Sequence, residues 1–318
     1  MTVTFRRRSG PRPIDAATEP GKAIDIDVVG YYGQPIVRPH VWKDVIGWYF
    51  FTGGLAGASS ALALAAELTG RSRLAKSARR AAMIGLLPSP ALLVYDLGRP
   101  SRFLNMLRVF KTTSPMSVGS WLLTVYGPAA AGSMLLGEIG RLRTMQRLLS
   151  GVAGITGPGL ATYTAVLVAD TATPAWHEAR SELPFVFAAS ALASAGAATA
   201  LLSTVDGEPS RVAGRLAVAG ALVEVSAATV MKRRLGSLDT YRSDRQAHRY
   251  DQAARALALA GAAGLLVAGR RRMPAALFSV AVAAGSVCER LAVLRAGAAS
   301  AADPQSVISS GMSTSLMV

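Results

Sequence analysis

The chain has 318 residues, a formal net charge of +15, and 51% hydrophobic against 17% charged residues. That balance is unusual for a soluble protein, and the basic residues lie between long apolar runs, a pattern of membrane flanks that excludes nucleic-acid binding as the origin of the charge. The single cysteine, Cys288, excludes an internal disulfide and an iron–sulfur cluster held by cysteines of this chain alone.

Residues 1–41, rich in Pro, Gly and charge, read as a disordered or partner-docking arm. Its arginines are not followed by the apolar stretch that a secretory or twin-arginine signal requires. Eight apolar runs come next, at approximately 45–66, 81–97, 118–137, 148–169, 183–204, 212–230, 254–269 and 273–294. Helical runs of about 20 residues cross a hydrocarbon core of about 30 Å. They predict an all-α membrane protein with eight transmembrane helices in a domain over 42–297, followed by a polar tail over 298–318. Gly, Ala and Ser fill "FTGGLAGASSALALAA" (51–66) and "ASALASAGAATALLS" (189–203), which suits close helix approach where lipid supplies no hydrophobic drive between helices.

Between the second and third runs stands "YDLGRPSRFLNMLRVFKTTSPMSVGSW" (95–121). Asp96 ends the second run and Arg99 follows it closely, so the two can pair at the membrane edge and shape a polar pocket. Pro100 can open a helix in which Phe103, Leu104, Leu107 and Phe110 interleave with Arg102, Asn105, Arg108 and Lys111. The pattern predicts a short interfacial helix between spans 2 and 3, with snorkelling as the simpler use of its basic residues.

Glu67, Glu138 and Asp170 fall at span ends, where they read as interfacial charges. Glu224 lies mid-span in the sixth run and Glu289 within the eighth. A charge at a helix centre costs on the order of 3 kcal/mol on insertion scales, so Glu224 needs a partner or a proton. Both are candidates for a proton path, with pairing of Glu289 to Arg290 or Arg295 as the alternative. His40, His177 and His248 lie outside the spans or at their edges, which argues against haem held by paired intramembrane histidines.

The stretches "WKDVIGWYFFTGGLAGASS" (42–60), "LLVYDLGRPSRFLNMLRVFKTTSPMSVGSW" (92–121), "GPGLATYTAVLVADTATPAWHEARSELP" (157–184) and "CERLAVLRAGAASAADP" (288–304) closely resemble the NrfD/PsrC family, the quinone-interacting membrane subunits of polysulfide-reductase-like complexes. The resemblance implies two four-helix bundles in the bacterial cytoplasmic membrane, with no haem or iron–sulfur cluster in this chain. It also implies an iron–sulfur partner subunit, a molybdopterin catalytic subunit, and electron exchange between the partner's cluster and a quinone, menaquinone or ubiquinone. The primary substrate would then be handled elsewhere. A quinone needs hydrogen-bond donors at both carbonyl oxygens and a route for protons, so on this reading His40, Asp96, Arg99, Asn105 and Tyr163 are the quinone-binding candidates. Arg102, Arg108 and Lys111 would dock the partner. Two other classes stay open: a secondary transporter with a midplane site at "GLLPSPALL" (85–93) or "GITGPGLAT" (154–162), and an inert membrane anchor.

Overall fold

The computed structural model describes residues 42, 44–97, 105, 107–108, 110–140, 142–236, 240–268 and 271–303. The arm assigned to 1–41, most of the interfacial helix expected between spans 2 and 3, and the tail beyond 303 lie outside the described residues. Every regular element among the described residues is a helix. They are α1 (Val45–Leu68), α2 (Ser72–Leu86), α3 (Pro88–Leu97), α4 (Pro115–Ile139), α5 (Arg143–Ala169), α6 (Pro174–Glu178), α7 (Leu183–Val205), α8 (Arg211–Leu235), α9 (Thr240–Ser243), α10 (Arg245–Ala268) and α11 (Arg272–Ala302).

Six of these, α1, α4, α5, α7, α8 and α11, are long and apolar enough to cross a membrane. The protein is therefore a multi-pass integral membrane protein. The other two expected spans differ from the simple picture for physical reasons. The run at 81–97 is divided, because Pro88 and Pro90 have no N–H to give to the preceding turn. Leu87 between α2 and α3 keeps helical angles (φ −54°, ψ −48°), so the rod bends there without ending. Ser89 Oγ, 2.7 Å from the Gly85 carbonyl and 2.9 Å from Thr52 Oγ1, ties the bend to α1. The run at 254–269 is the second half of α10, whose first half carries Arg245, Arg249, Asp251 and Arg255 and so has too polar an average to stand out. The last helix also continues to Ala302, into the stretch assigned to the tail.

Helix ends are set by local chemistry. Ser114 caps α4 by accepting from Ser117 N–H at 3.4 Å, with Pro115 in the first turn, and Ser210 caps α8 by accepting from Ala213 N–H at 3.3 Å. Gly140 closes α4 in the left-handed conformation (φ 71°) that a side chain would resist.

Small residues hold the interior together. α1 is the central helix, packed on α2, α3, α5, α7 and α11, while α4 packs on α5 and α2, and α8 and α10 pack on each other and on α7 and α11 respectively. At the α1–α5 crossing a Cβ on Gly57 would lie 2.2 Å from the Gly157 carbonyl oxygen, and one on Gly157 would lie 2.3 Å from that of Gly57. Only glycine at both positions allows the two backbones to meet.

Polar contacts distinguish the two ends of the helices. At one end Glu67 binds Arg79 and Gln146, Arg80 joins Glu138 (2.8 Å) to Asp206 (3.0 Å), Lys76 reaches Glu138 (3.0 Å), and Arg272 donates to the Gly207 carbonyl (2.7 Å). The interfacial acids Glu67 and Glu138 are thus ion-paired, clasping α1, α2, α4, α5 and the α7–α8 turn. At the other end Arg295 pairs with Asp44 and Arg234 with Glu182, while Thr240 Oγ1 donates to the Ala296 carbonyl at 2.7 Å.

Candidate functional site

Where α1 and α5 run from the glycine crossing toward the second end, two phenols converge. Tyr49 lies in the second turn of α1 and Tyr163 less than two turns before the end of α5, and their hydroxyls share a hydrogen bond. Gly119 of α4 makes room for the Tyr163 ring, since a Cβ there would lie 2.1 Å from Tyr163 Cε2. Beside the pair is a cavity of about 60 Å³, room for a few water molecules. Its polar groups are Asp96 from the end of α3, Ser120 from α4 and the two tyrosines. Trp42, Ile46, Leu93, Met116 and Leu167 complete the walls.

The outer rim of this cavity is aromatic. Trp42 stacks on Trp176 (ring centroids 5.4 Å apart, interplanar angle 26°) and meets Phe50 edge-on at 6.2 Å. Trp176 is itself fixed, because its indole N–H donates to the Val293 carbonyl at 2.8 Å and its ring occupies space that only a glycine at 297 leaves open. The short α6 therefore clamps the start of α1 against the end of α11.

Of the residues singled out for a quinone, Asp96 and Tyr163 line this cavity together. Asn105 is exposed and is not among its lining residues. His40 and Arg99 lie outside the described residues, as does Arg102. Arg108 and Lys111 are exposed, on the same side of the chain as Asp96 and the start of α4. Trp42, at the start of the first span, lines it as well, and so do Tyr49 and Ser120, which the sequence had not singled out for it. A polar aromatic spaced like its neighbours gives no local sign of a contact 114 residues away.

A second polar constellation lies deep among α7, α8, α10 and α11. Glu224 and Glu289 are each 2% exposed and Arg290 is 1% exposed. Ser286 Oγ donates to Glu224 Oε2 at 3.1 Å. Arg290 does not pair with Glu289. Its Nη2 donates to the Phe187 carbonyl at 2.7 Å, and its guanidinium lies over the Phe187 ring at 3.8 Å. Nor does Arg295 pair with Glu289, because it reaches Asp44 instead. Towards the second end, Lys232 forms a buried ion pair with Asp251, which also lies 3.4 Å from Arg255. Three acids and two bases, Arg290 and Lys232, are thus buried together, with the partly exposed Arg255 at their edge. Glu224 Oε1, Glu289 Oε1 and the Nε and Nη1 of Arg290 have no hydrogen-bond partner among the described residues.

No group of three His, Cys, Asp or Glu side chains among the described residues is arranged to hold a metal ion. The cavity offers one carboxyl, three hydroxyls and an aromatic plane. No curated protein matches the chain. A family described as polysulphide reductase, NrfD, matches residues 37–302, from before the first helix to the end of the last, and the chain belongs to that family.

Proposed function

We propose that the chain is the haem-free membrane subunit of a multisubunit oxidoreductase, and that a membrane quinone exchanges electrons beside the Tyr49–Tyr163 pair. The observation behind this reading is the convergence of Asp96, Ser120, Tyr49 and Tyr163 in one cavity at the helix end that adjoins the 98–114 connection. A bound quinone supplies two-electron, two-proton redox chemistry. The donor set fits such a headgroup: the phenol that accepts in the Tyr49–Tyr163 bond can donate its own O–H to a carbonyl oxygen, Asp96 can give or take a proton at the rim, and Trp42 offers a flat face, while the Ser120 hydroxyl is held by the Met116 carbonyl at 2.8 Å. With room for only a few water molecules, the cavity admits a quinone ring when the side chains that wall it, Met116 and Trp42 among them, move apart.

On this reading the helices α1 to α5 and α7 to α11 act as two four-helix bundles in the bacterial cytoplasmic membrane, with α2 and α3 together making one of eight crossings. The packing pairs support it: α1, α2, α4 and α5 contact one another, as do α7, α8, α10 and α11, and the two sets meet chiefly through α7. Arg102, Arg108 and Lys111 would face an iron–sulfur subunit that in turn carries a molybdopterin subunit, with His40 and Arg99 kept as candidates for the quinone. Asn105 then belongs to the docking surface rather than to the cavity. Glu224 and Glu289 are the interior groups suited to hold or move protons, and the unpartnered oxygen on each is the reason to assign them that role.

The test is to purify the chain from native membranes with whatever accompanies it and record electron paramagnetic resonance and quinone content. Iron–sulfur signals that added quinone oxidises support the reading. A chain that carries neither cluster-bearing partner nor quinone under conditions preserving the complex overturns it.

A further inference from the structure

At the end of the molecule away from the tyrosine cavity, four arginines stand at helix starts, three of them lining two adjoining hollows. Arg211 and Arg215 stand one turn apart at the start of α8, and Arg271 and Arg272 open α11. Acids are nearby but engaged elsewhere: Asp206 accepts from Arg80, and Glu208 pairs with Arg73. Arg272 donates one N–H to the Gly207 carbonyl at 2.7 Å. No ion pair among the described residues involves any of the four.

Next to Arg211 and Arg215 is a groove of about 270 Å³, many times the roughly 30 Å³ a water molecule occupies in the liquid. Val218, Leu265, Leu266 and Ala275 form its apolar wall. It shares Pro209 and Ser210 with a wider cleft of about 810 Å³ on which Arg272 lies. Leu266 is 66% exposed, so the groove opens onto the apolar exterior that faces lipid. Gly214 also lines it, and a Cβ there would meet nothing within 4 Å, so α8 leaves space on that side.

We propose that this groove binds one anionic glycerophospholipid, with its phosphate held by Arg211, Arg215 and Arg272 and an acyl chain laid along Val218, Leu265 and Leu266. Guanidinium groups match phosphate oxygens in charge and in paired N–H geometry. The N-termini of α8 and α11 add the positive ends of their backbone dipoles. A free phosphate would occupy the basic rim alone and leave the apolar wall uncovered, whereas a phospholipid satisfies both. A zwitterionic lipid brings a cation of its own to a rim whose nearby acids, Asp206 and Glu208, are already paired with Arg80 and Arg73, so the site selects net negative headgroups. The assignment depends on the membrane location of the chain and not on the quinone reading.

The experiment uses the full chain with the subunits that accompany it, delipidated in mild detergent and titrated with phosphatidylglycerol or phosphatidylcholine, with bound lipid counted by native mass spectrometry. The expected result is one tightly held phosphatidylglycerol and no comparable retention of phosphatidylcholine. R211Q/R215Q should weaken retention about thirtyfold, the loss of two basic contacts at the membrane surface. Gly214→Leu leaves every charge in place but fills the groove, and should weaken retention similarly, which diffuse surface attraction would not produce. R233Q/R249Q, altering two exposed arginines at the other end, should retain the lipid as wild type does. Equal retention of the two lipids, or wild-type retention by either groove variant with an unchanged melting temperature, overturns the proposal. Displacement of the lipid by millimolar inorganic phosphate also overturns it and assigns the rim to a free anion.

Discussion

Tyr163 was legible as a polar aromatic placed at a depth a headgroup can reach, but its use depends on Tyr49, which only the three-dimensional crossing of α1 and α5 reveals. Tyr163→Phe removes one hydroxyl from the pair with little change of volume. We expect quinone-linked turnover to fall about a hundredfold, at the low end of what positioned proton-transfer groups contribute, while thermal stability stays near wild type. Steady-state oxidation of a quinol analogue alongside a melting curve checks both halves. Arg290 shows the opposite limit of sequence reading. A buried arginine next to a buried glutamate suggests an ion pair, yet its guanidinium bonds a backbone carbonyl and covers a phenyl ring, neither of which has a signature in the chain. Arg290→Gln removes the charge-assisted hydrogen bond to the Phe187 carbonyl and the cover on its ring, and should destabilise the protein by about 1–3 kcal/mol, read as thermal unfolding in detergent. Arg290→Lys should recover little, because an ammonium lacks the planar fork that both stacks and bonds.

At the level of helices, hydrophobic runs identified the segments well where one helix crosses as an apolar rod, as in α1 and α7. They were less direct where prolines divide a rod, at Leu87, or where charge is matched inside the protein, as for Asp251 in the first half of α10. Hydropathy counts Asp251 and Lys232 as costs, whereas each offsets the other once their helices pack. The small-residue content predicted close packing, but not which glycines meet. Gly57→Leu would drive a side chain into the Gly157 backbone, which cannot yield as a side-chain tip can, and should separate α1 from α5. The expected cost is about 1–3 kcal/mol or more, with loss of quinone-linked activity because the Tyr49–Tyr163 contact depends on that crossing. By contrast, Ser210→Ala removes only the cap of α8 and should cost about 1 kcal/mol with activity intact. Comparing the two variants by melting temperature and turnover separates a crossing that positions the site from one that only stabilises a helix.

Across the whole molecule the two helix ends have different chemistry. One is clasped by ion pairs centred on Arg80, Glu138 and Asp206, and the other carries the aromatic rim and the cavity with Asp96. Ion pairs join helices at both ends, as Arg295–Asp44 and Arg234–Glu182 do at the second, but the cavity with Asp96 and the two tyrosines belongs to the second alone. The sequence offered Asp96 and Tyr163 as quinone-binding candidates; the fold adds that they share one cavity with Tyr49, Ser120 and Trp42. The most direct test compares wild-type complex with Asp96→Asn, following the rate at which added quinone oxidises the partner's reduced iron–sulfur cluster by electron paramagnetic resonance. Our account predicts an assembled complex with normal cluster signals whose oxidation by quinone slows at least about a hundredfold, as removal of a positioned proton donor does. Oxidation at the wild-type rate in an intact Asp96→Asn complex would contradict the assignment of this cavity as the place of quinone exchange.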